Sequence, residues 1–251
     1  MLTRRLLVTT AALLALAAPA LASFTKVGAP TKDQLSQEQI LESIYSVDLV
    51  ASGRNFTSST IQVTRLEDFS LVSPQGLSGS ARTAGDQLWA HGTYVATVKA
   101  RFAPIPGTVD FGYFTGSAGG SYQKLFDVTG HGLDVTGSIG PVDALGQTWR
   151  WGEGRAGPAG ANNYSSLQTD NAGKDYMVAY HITGLADEQQ WTTWLLFWEN
   201  TYGGSDRDFN DLVVEVKAVA MPAPGAIVMA IVGLCLVGYY QRRRITGPSS
   251  E

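Results

Sequence analysis

Cysteine is almost absent from this chain of 251 residues. The single cysteine, Cys235, lies in an apolar run close to the C-terminus. The part of the chain that precedes this run therefore has no disulfide and no thiol that could act as a nucleophile. Its fold is therefore not cross-linked by disulfides.

Charged residues and catalytic motifs are also scarce. Charged residues make up 16% of the chain, its three histidines are isolated, and no H-E-x-x-H or G-x-S-x-G motif occurs. A glycosidase needs two carboxylates across a cleft, and Glu199 with an aspartate of the block 206–211 is the pair available. The sequence thus predicts a protein that is not an enzyme, with a polysaccharide hydrolase as the third alternative.

The N-terminus predicts a secretory signal peptide over residues 1–22. Two arginines precede an apolar core, and the segment ends in Ala-Leu-Ala, the small-x-small pattern that signal peptidase reads. We expect cleavage between Ala22 and Ser23. The rest of the chain is therefore expected to be exported.

The C-terminus predicts a membrane-spanning segment over residues 221–244. Its apolar run approaches the length of about 20 residues that a helix needs to cross a bilayer. Arg242, Arg243 and Arg244 follow this run. By the positive-inside rule they stay in the cytoplasm together with residues 245–251.

The same C-terminus resembles the PEP-CTERM sorting signal of bacterial surface proteins. A proline motif, an apolar run and an arginine cluster occur in that order, although Pro222-Ala223-Pro224 has alanine where the family has glutamate. The resemblance implies an anchor in the inner membrane, cleavage by an exosortase-type protease and sorting to the cell surface. An ordinary anchor that is never cleaved is the alternative.

The net charge of the part between the two ends limits its partners. Five of the 18 Lys and Arg residues and one of the 22 Asp and Glu residues lie in the ends. This leaves 13 basic against 21 acidic residues, a net charge of −8. Such a balance argues against nucleic acid as a partner and is compatible with divalent cations.

The pattern between the ends predicts an all-β fold after a short helix. Residues 23–48 form the helical segment, with a helix over Thr31–Ser46, and residues 49–220 form a single β-sandwich or jelly-roll-like domain. Residues 152–174 are rich in Gly, Ala and Asn, which predicts a long loop. The predicted strands are 60–66, 94–102, 109–114, 176–182, 191–198 and 212–218.

A second resemblance covers most of residues 35–244. Segments such as "TRLEDF", "DFGYFTG" and "TWLLFWEN", followed by "GGSDRDFNDLVVEV", occur in the same order as in a group of PEP-CTERM proteins. Those proteins carry a domain of unknown function that ends in an aspartate-rich loop before its last strand. The resemblance implies an exported all-β surface protein with no established catalytic activity.

The aspartate-rich block opens like a calcium loop but does not continue as one. Asp206, Asp208 and Asn210 have the D-x-D-x-N spacing of an EF-hand. An EF-hand then needs glycine at the sixth position and glutamate at the twelfth, where this chain has Asp211 and Lys217. The block is therefore not an EF-hand.

A calcium site of another geometry is predicted instead. Asp206, Asp208 and Asp211 would be its main ligands, with Glu199 contributed by the preceding strand and Asn210 completing the shell. Without a cation, carboxylates held within a few ångströms repel one another and one of them takes a raised pKa. A purely structural turn, held by Asp and Asn hydrogen bonds, is the alternative.

Two pairs of tryptophans receive different predictions. Trp194 and Trp198 lie in a run that is apolar on both faces, which predicts a buried central strand. Trp149 and Trp151 lie beside the Gly-rich segment and are the candidates for contact with carbohydrate.

Taken together, these features of the sequence favour a surface or matrix protein with a structural or adhesive role in an extracellular polysaccharide layer. A carbohydrate-binding module with a defined glycan ligand is the alternative.

Overall fold

The computed structural model describes residues 24–68, 86–89, 92–102, 108–144, 148–157, 160–200, 206–219 and 234–236. The predicted signal peptide and its cleavage site lie outside these residues, as do the sorting motif and the arginine cluster. Only 234–236 of the predicted membrane segment are described. No helix within the described residues is long and apolar enough to cross a membrane.

One α-helix, α1 (Gln37–Tyr45), precedes the strands. The strands are β1 (Val50–Ser52), β2 (Asn55–Thr57), β3 (Gln62–Arg65), β4 (Gly92–Ala100), β5 (Thr108–Thr115), β6 (Tyr122–His131), β7 (Asp134–Thr136), β8 (Ser138–Ala144), β9 (Trp149–Gly157), β10 (Gly160–Ser165), β11 (Met177–Thr183), β12 (Trp191–Trp198) and β13 (Leu212–Val219). All six predicted strands are confirmed, whereas β1, β2, β6, β7, β8, β9 and β10 lie outside the predicted ranges.

The strands form two antiparallel sheets. The larger has eight strands in the order β1-β2-β3-β11-β12-β13-β4-β8, and the smaller has five in the order β10-β9-β5-β6-β7. Buried side chains of both sheets form one hydrophobic core between them. The all-β prediction is confirmed, and the layered arrangement is that of a β-sandwich.

A second hydrophobic core lies on the outer face of the larger sheet, where α1 packs. Strand β12 contributes Trp194 and Trp198 to the core between the sheets, and Leu195 and Phe197 to the core beneath the helix. All four side chains are at most 3% exposed. The prediction that β12 is a central strand buried on both faces is therefore confirmed.

Helix α1 begins six residues later than predicted. The Ser36 hydroxyl accepts the backbone N–H of Gln39, and the Gln39 side chain accepts the N–H of Ser36. This capping box satisfies two N–H groups that would otherwise lack partners, so the helix starts at Gln37. Ile40 and Leu41 are its fully buried apolar residues.

The prediction of a long loop over 152–174 is wrong. Strands β9 and β10 form an antiparallel hairpin there, followed by a short 3-10 helix over Gln168–Asn171. A Cβ atom on Gly152 would lie 2.8 Å from the rings of Phe114 and Tyr122. The glycines of β9 therefore let rings from other strands cover the sheet, which explains a composition that otherwise indicates a loop.

The structure also contradicts the proposed carbohydrate contacts of Trp149 and Trp151. Both side chains are 1% exposed, because alternation along β9 directs them toward the larger sheet. The Trp151 ring stacks on Phe111 at 4.9 Å, and Trp149 meets Tyr94 edge-on at 5.2 Å between ring centroids. Neither ring presents a face to a ligand outside the core.

We expect Trp151→Ala to lower the free energy of unfolding by about 3–5 kcal/mol, because it removes a large ring from a packed core. Equilibrium unfolding in urea measures this loss. Leu133→Ala is the control, since Leu133 is 43% exposed in the turn between β6 and β7, and we expect a change within about 0.5 kcal/mol. A cost below about 1 kcal/mol for Trp151→Ala would contradict the buried position.

Candidate metal centre

The aspartate-rich block 206–211, which we call the acidic loop, lies between the neighbouring strands β12 and β13 at one end of the larger sheet. Trp198 of β12 faces Leu212 of β13 in the register, and the Asp211 N–H donates to the Trp198 carbonyl at 3.1 Å. Antiparallel pairing thus brings Glu199 and Asp211, twelve positions apart in sequence, to the same end of the sheet.

Three carboxylates converge on one point, and we call them the triad: Glu199, Asp206 and Asp208. Each offers a carboxylate oxygen, and the three oxygens lie within 4.8 Å of one another. Two oxygens bound to one Ca²⁺ at 2.3–2.6 Å lie at most about 5 Å apart, so this spacing suits a shared calcium ion. Glu199 and Asp208 are 3% exposed, whereas Asp206 is exposed. The group therefore faces solvent on one side only.

Asp211 lies beside this triad as a neighbour of Glu199. Its Oδ2 atom accepts the backbone N–H of Asn200 at 2.9 Å. Burial raises the pKa of Asp211, while hydrogen bonds with the Glu199 side chain and the Asn200 N–H oppose that rise. The structure thus places Asp211 where it orients the Glu199 carboxyl group.

Asn210 anchors the loop to the segment before α1. Its Nδ2 atom donates to the Leu35 carbonyl at 2.9 Å and to Gln34 Oε1 at 3.4 Å, and the residue is fully buried. Its Oδ1 atom has no hydrogen-bond partner in the described part of the chain. The structure therefore assigns the Asn210 amide to positioning of the loop.

The loop backbone adopts conformations that residues with side chains rarely take. Arg207 and Phe209 have φ angles of 57° and 53°, in the left-handed region. Phe209 is fully buried in the core beneath α1, and the Gly28 N–H donates to the Arg207 carbonyl at 2.7 Å. These contacts hold the loop in a strained conformation.

Asp208 is a buried member of the triad and has a perturbed pKa. Burial raises its pKa to about 7, and the nearby charges of Asp206 and Asp211 contribute to the rise. Its Oδ1 atom accepts the Asn210 N–H at 3.3 Å, while Oδ2 has no hydrogen-bond partner among the described residues. A cation beside Oδ2 would relieve this penalty.

Glu153 of β9 extends the acidic region into the sandwich, which the sequence did not predict. It is fully buried, and neither carboxyl oxygen has a hydrogen-bond partner within the described ranges. Burial raises its pKa well above the usual value, and Asp211 and Glu199 add to the rise. Two residues along β9, Arg155 Nη1 donates to the Asn200 carbonyl at 3.3 Å. If the segment had been predicted as a strand, its period of two residues would have placed Glu153 on the same buried face as Trp151.

A second group of aspartates, buried or half-buried, lies near the end of β3 and the start of β11. Arg65 Nη2 lies 3.8 Å from Asp68 Oδ1, and the Asp86 N–H donates to the Glu67 carbonyl. Burial raises the pKa of Asp86, with further rises from Asp175 and Asp68. Burial also raises the pKa of Asp175 to about 6. No local pattern marks these acids, because their proximity depends on how distant segments pair.

Comparison of the chain with models of protein families, with curated protein sequences and with solved structures found no match. The resemblance to PEP-CTERM proteins therefore stays a prediction from sequence motifs. The geometry of the acidic loop is the main guide to its chemistry.

We expect the protein without divalent cations to lose stability as the pH rises from about 5 to about 8. The folded-state pKa values of Asp175 and Asp208, about 6 and about 7, lie above the ordinary value of 3.8. The folded protein therefore holds protons that the unfolded chain releases. The stability that this proton binding contributes is lost as the pH rises through the folded pKa values. Urea unfolding across this range measures the effect.

The double variant Asp175→Asn/Asp208→Asn is the control for this pH dependence. Both amides keep a similar shape but do not titrate, so we expect a flatter profile than that of the unsubstituted protein. Profiles of equal slope for the two proteins would contradict the assignment.

Proposed function

We propose that this chain is an exported bacterial surface or extracellular-matrix protein with a structural or adhesive, non-catalytic role in a polysaccharide layer. In this proposal Ca²⁺ stabilises the loop over Asp206–Asp211. The convergence of Glu199, Asp206 and Asp208 is the observation that carries it. Calcium sites of extracellular modules bind at about 10⁻⁴–10⁻³ M, which suits an open site with few protein ligands.

The ligand atoms favour calcium over transition metals. The triad consists of carboxylates alone, and hard oxygen ligands suit Ca²⁺, whereas Zn²⁺ prefers histidine and cysteine. Ca²⁺ takes six to eight oxygens, so second carboxylate oxygens, backbone carbonyls and water would complete the shell on the side where Asp206 is exposed. Mg²⁺ demands a stricter octahedron and fits this arrangement less well.

A bound cation would act on the loop and on the sheet together. Glu199 directly follows the central strand β12, while Asp206 and Asp208 lie in the loop that precedes β13. Cross-linking them through one ion would neutralise their mutual repulsion and hold the strained turn at Arg207 and Phe209. The expected role of calcium is therefore structural.

Export and sorting rest on the two ends of the sequence. The signal peptide over 1–22 supports export, and the order of proline motif, apolar run and arginine cluster supports sorting by an exosortase-type protease. Exported proteins meet calcium at higher concentrations than cytoplasmic proteins do, so the two parts of the proposal are compatible.

We expect calcium to raise the melting temperature of the protein. At a concentration 100 times the dissociation constant, a ligand specific for the folded state stabilises it by about 2.7 kcal/mol. For a domain of about 200 residues this corresponds to roughly 5–10 °C. Thermal unfolding in EDTA and in increasing CaCl₂ measures the shift at pH 7.5.

Asp208→Asn tests whether the response comes from this loop. We expect the variant to lose most of the shift while remaining at least as stable as the unsubstituted protein in EDTA, because a repelling charge is removed. Asp127→Asn is the matched control, since Asp127 is exposed on β6 and pairs with Lys124 at 2.9 Å. An unchanged melting temperature at about 10 mM calcium would remove the metal from the proposal.

Processing at both ends has a separate test. We expect the protein recovered from the surface of the native cells to begin at Ser23 and to end near Pro224, as mass spectrometry of the intact chain would show. Replacing Arg242, Arg243 and Arg244 by alanine should retain the uncleaved C-terminus. Surface protein that still contains residues 225–251 would favour the permanent anchor.

A further inference from the structure

The outer face of the smaller sheet carries three glycines side by side, which we call the glycine lane. Gly112 of β5 lies opposite Gly152 of β9 in the register, and Gly154 is the next residue of β9 on the same face. The alternate positions Phe111 and Trp151 are buried in the core between the sheets, so the lane faces outward. Positions without side chains let another group approach the backbone of the strands closely.

The ring of Tyr122, from β6, covers the glycine lane. A Cβ atom on Gly112 or Gly152 would lie 2.8 Å from atoms of this ring, and a Cβ atom on Gly154 would lie 2.9 Å from it. The ring therefore occupies space that a side chain at any of the three positions would need. Tyr122 is only half-buried in spite of these contacts. The exposed part of its ring thus lies on the side away from the glycines.

Contacts with neighbouring side chains hold the Tyr122 ring in place. Its hydroxyl donates to Asp110 Oδ1, and its ring centroid is 5.4 Å from that of Phe114. The Arg150 guanidinium lies 5.3 Å from the Phe114 ring centroid, and this arginine is itself fully buried and paired with Asp170. A ring that is already fixed loses little conformational entropy when a ligand binds to it.

Polar side chains surround this ring on the same face of the sheet. Asp110, which bonds the Tyr122 hydroxyl, is half-buried. Lys124 of β6 lies opposite Gly112 in the register, Asn163 of β10 lies opposite Gly154, and both side chains are exposed. A carboxylate accepts hydrogen bonds, an ammonium group donates them, and an amide does both. The margin of the ring therefore offers donors and acceptors together.

The charges on this face are paired with one another. Lys124 Nζ lies 2.9 Å from Asp127 Oδ1, and Arg150 pairs with Asp170. A strongly charged ligand would have to compete with one of these pairs. A purely apolar ligand would cover polar groups without giving them hydrogen-bond partners, which is unfavourable. An uncharged ligand that has both an apolar surface and hydroxyl groups avoids both penalties.

We propose that the outer face of the smaller sheet binds an uncharged sugar residue of a polysaccharide on the Tyr122 ring. The apolar C–H face of the sugar packs on the aromatic ring, and hydroxyl groups at the edge of the sugar bond to Asp110, Lys124 and Asn163. The inference rests on the proposed function for its place in a polysaccharide layer, and it names the ligand class for that role. It puts the carbohydrate contact on the opposite face of the sheet from the two buried tryptophans of β9.

Calorimetric titration of the purified full chain with glucose, galactose, mannose, rhamnose and N-acetylglucosamine tests this inference. We expect saturable binding of at least one of these sugars and an affinity roughly threefold to tenfold lower in Asn163→Ala and in Lys124→Ala, as is typical for the loss of one hydrogen bond. Both side chains are exposed, so neither variant should unfold. Tyr122→Leu removes the aromatic ring and should abolish binding. Lys32→Ala, an exposed lysine in the segment before α1, is the matched control and should bind normally.

Three outcomes would overturn the inference. These are the absence of saturable binding for all five sugars, an unchanged affinity in both Asn163→Ala and Lys124→Ala, and tighter binding of the charged sugar glucuronate than of any uncharged one. Weaker binding in either exposed variant supports it. The calcium response of the melting temperature, measured on the same samples, separates this inference from the proposed function, because the acidic loop belongs to the other sheet. Loss of the sugar result alone leaves the calcium proposal standing, and loss of the calcium response alone leaves the sugar site standing.

Discussion

The pairing of β12 with β13 is the constraint on which the rest of the structure depends. β12 is buried on both faces, so its register cannot slip without moving large side chains such as Trp194 and Phe197 into the wrong core. The last pair of this register, Trp198 with Leu212, holds Glu199 and Asp211 at one end of the sheet. The acidic loop is therefore positioned by apolar packing rather than by its own charges.

The crowding of buried carboxylates at this end of the sheet has an electrostatic cost. The pKa values of Asp208 and Glu153 are raised chiefly by burial, so each group favours a proton or a cation. The loop nevertheless keeps its strained turn, because Phe209 is anchored in the core and Asn210 is bonded to the segment before α1. Such an arrangement is typical of sites that are preorganised for a ligand.

Helix α1 connects the acidic loop to the outer face of the larger sheet. Its first residue, Gln37, donates to the Asp208 carbonyl and accepts a hydrogen bond from the Tyr180 hydroxyl of β11. A cation that fixes the Asp208 carboxylate would therefore also fix the start of the helix against the sheet.

The sequence by itself determined helix α1 and six of the strands, whereas the tertiary structure decided which side chains meet. Alternation over 94–102 predicts a half-buried strand, and Tyr94, Ala96, Val98, Ala100 and Phe102 are all buried as expected, because a strand's period is set within a few residues. The aspartates of the acidic loop are adjacent in sequence, so their grouping was predictable as well. The β9–β10 hairpin was not, since its glycines are explained by rings such as Tyr122 that come from another strand. The sequence also did not predict the positions of the buried acids Glu153, Asp68, Asp86 and Asp175. Strand register and sheet packing, not sequence proximity, bring these residues to their neighbours.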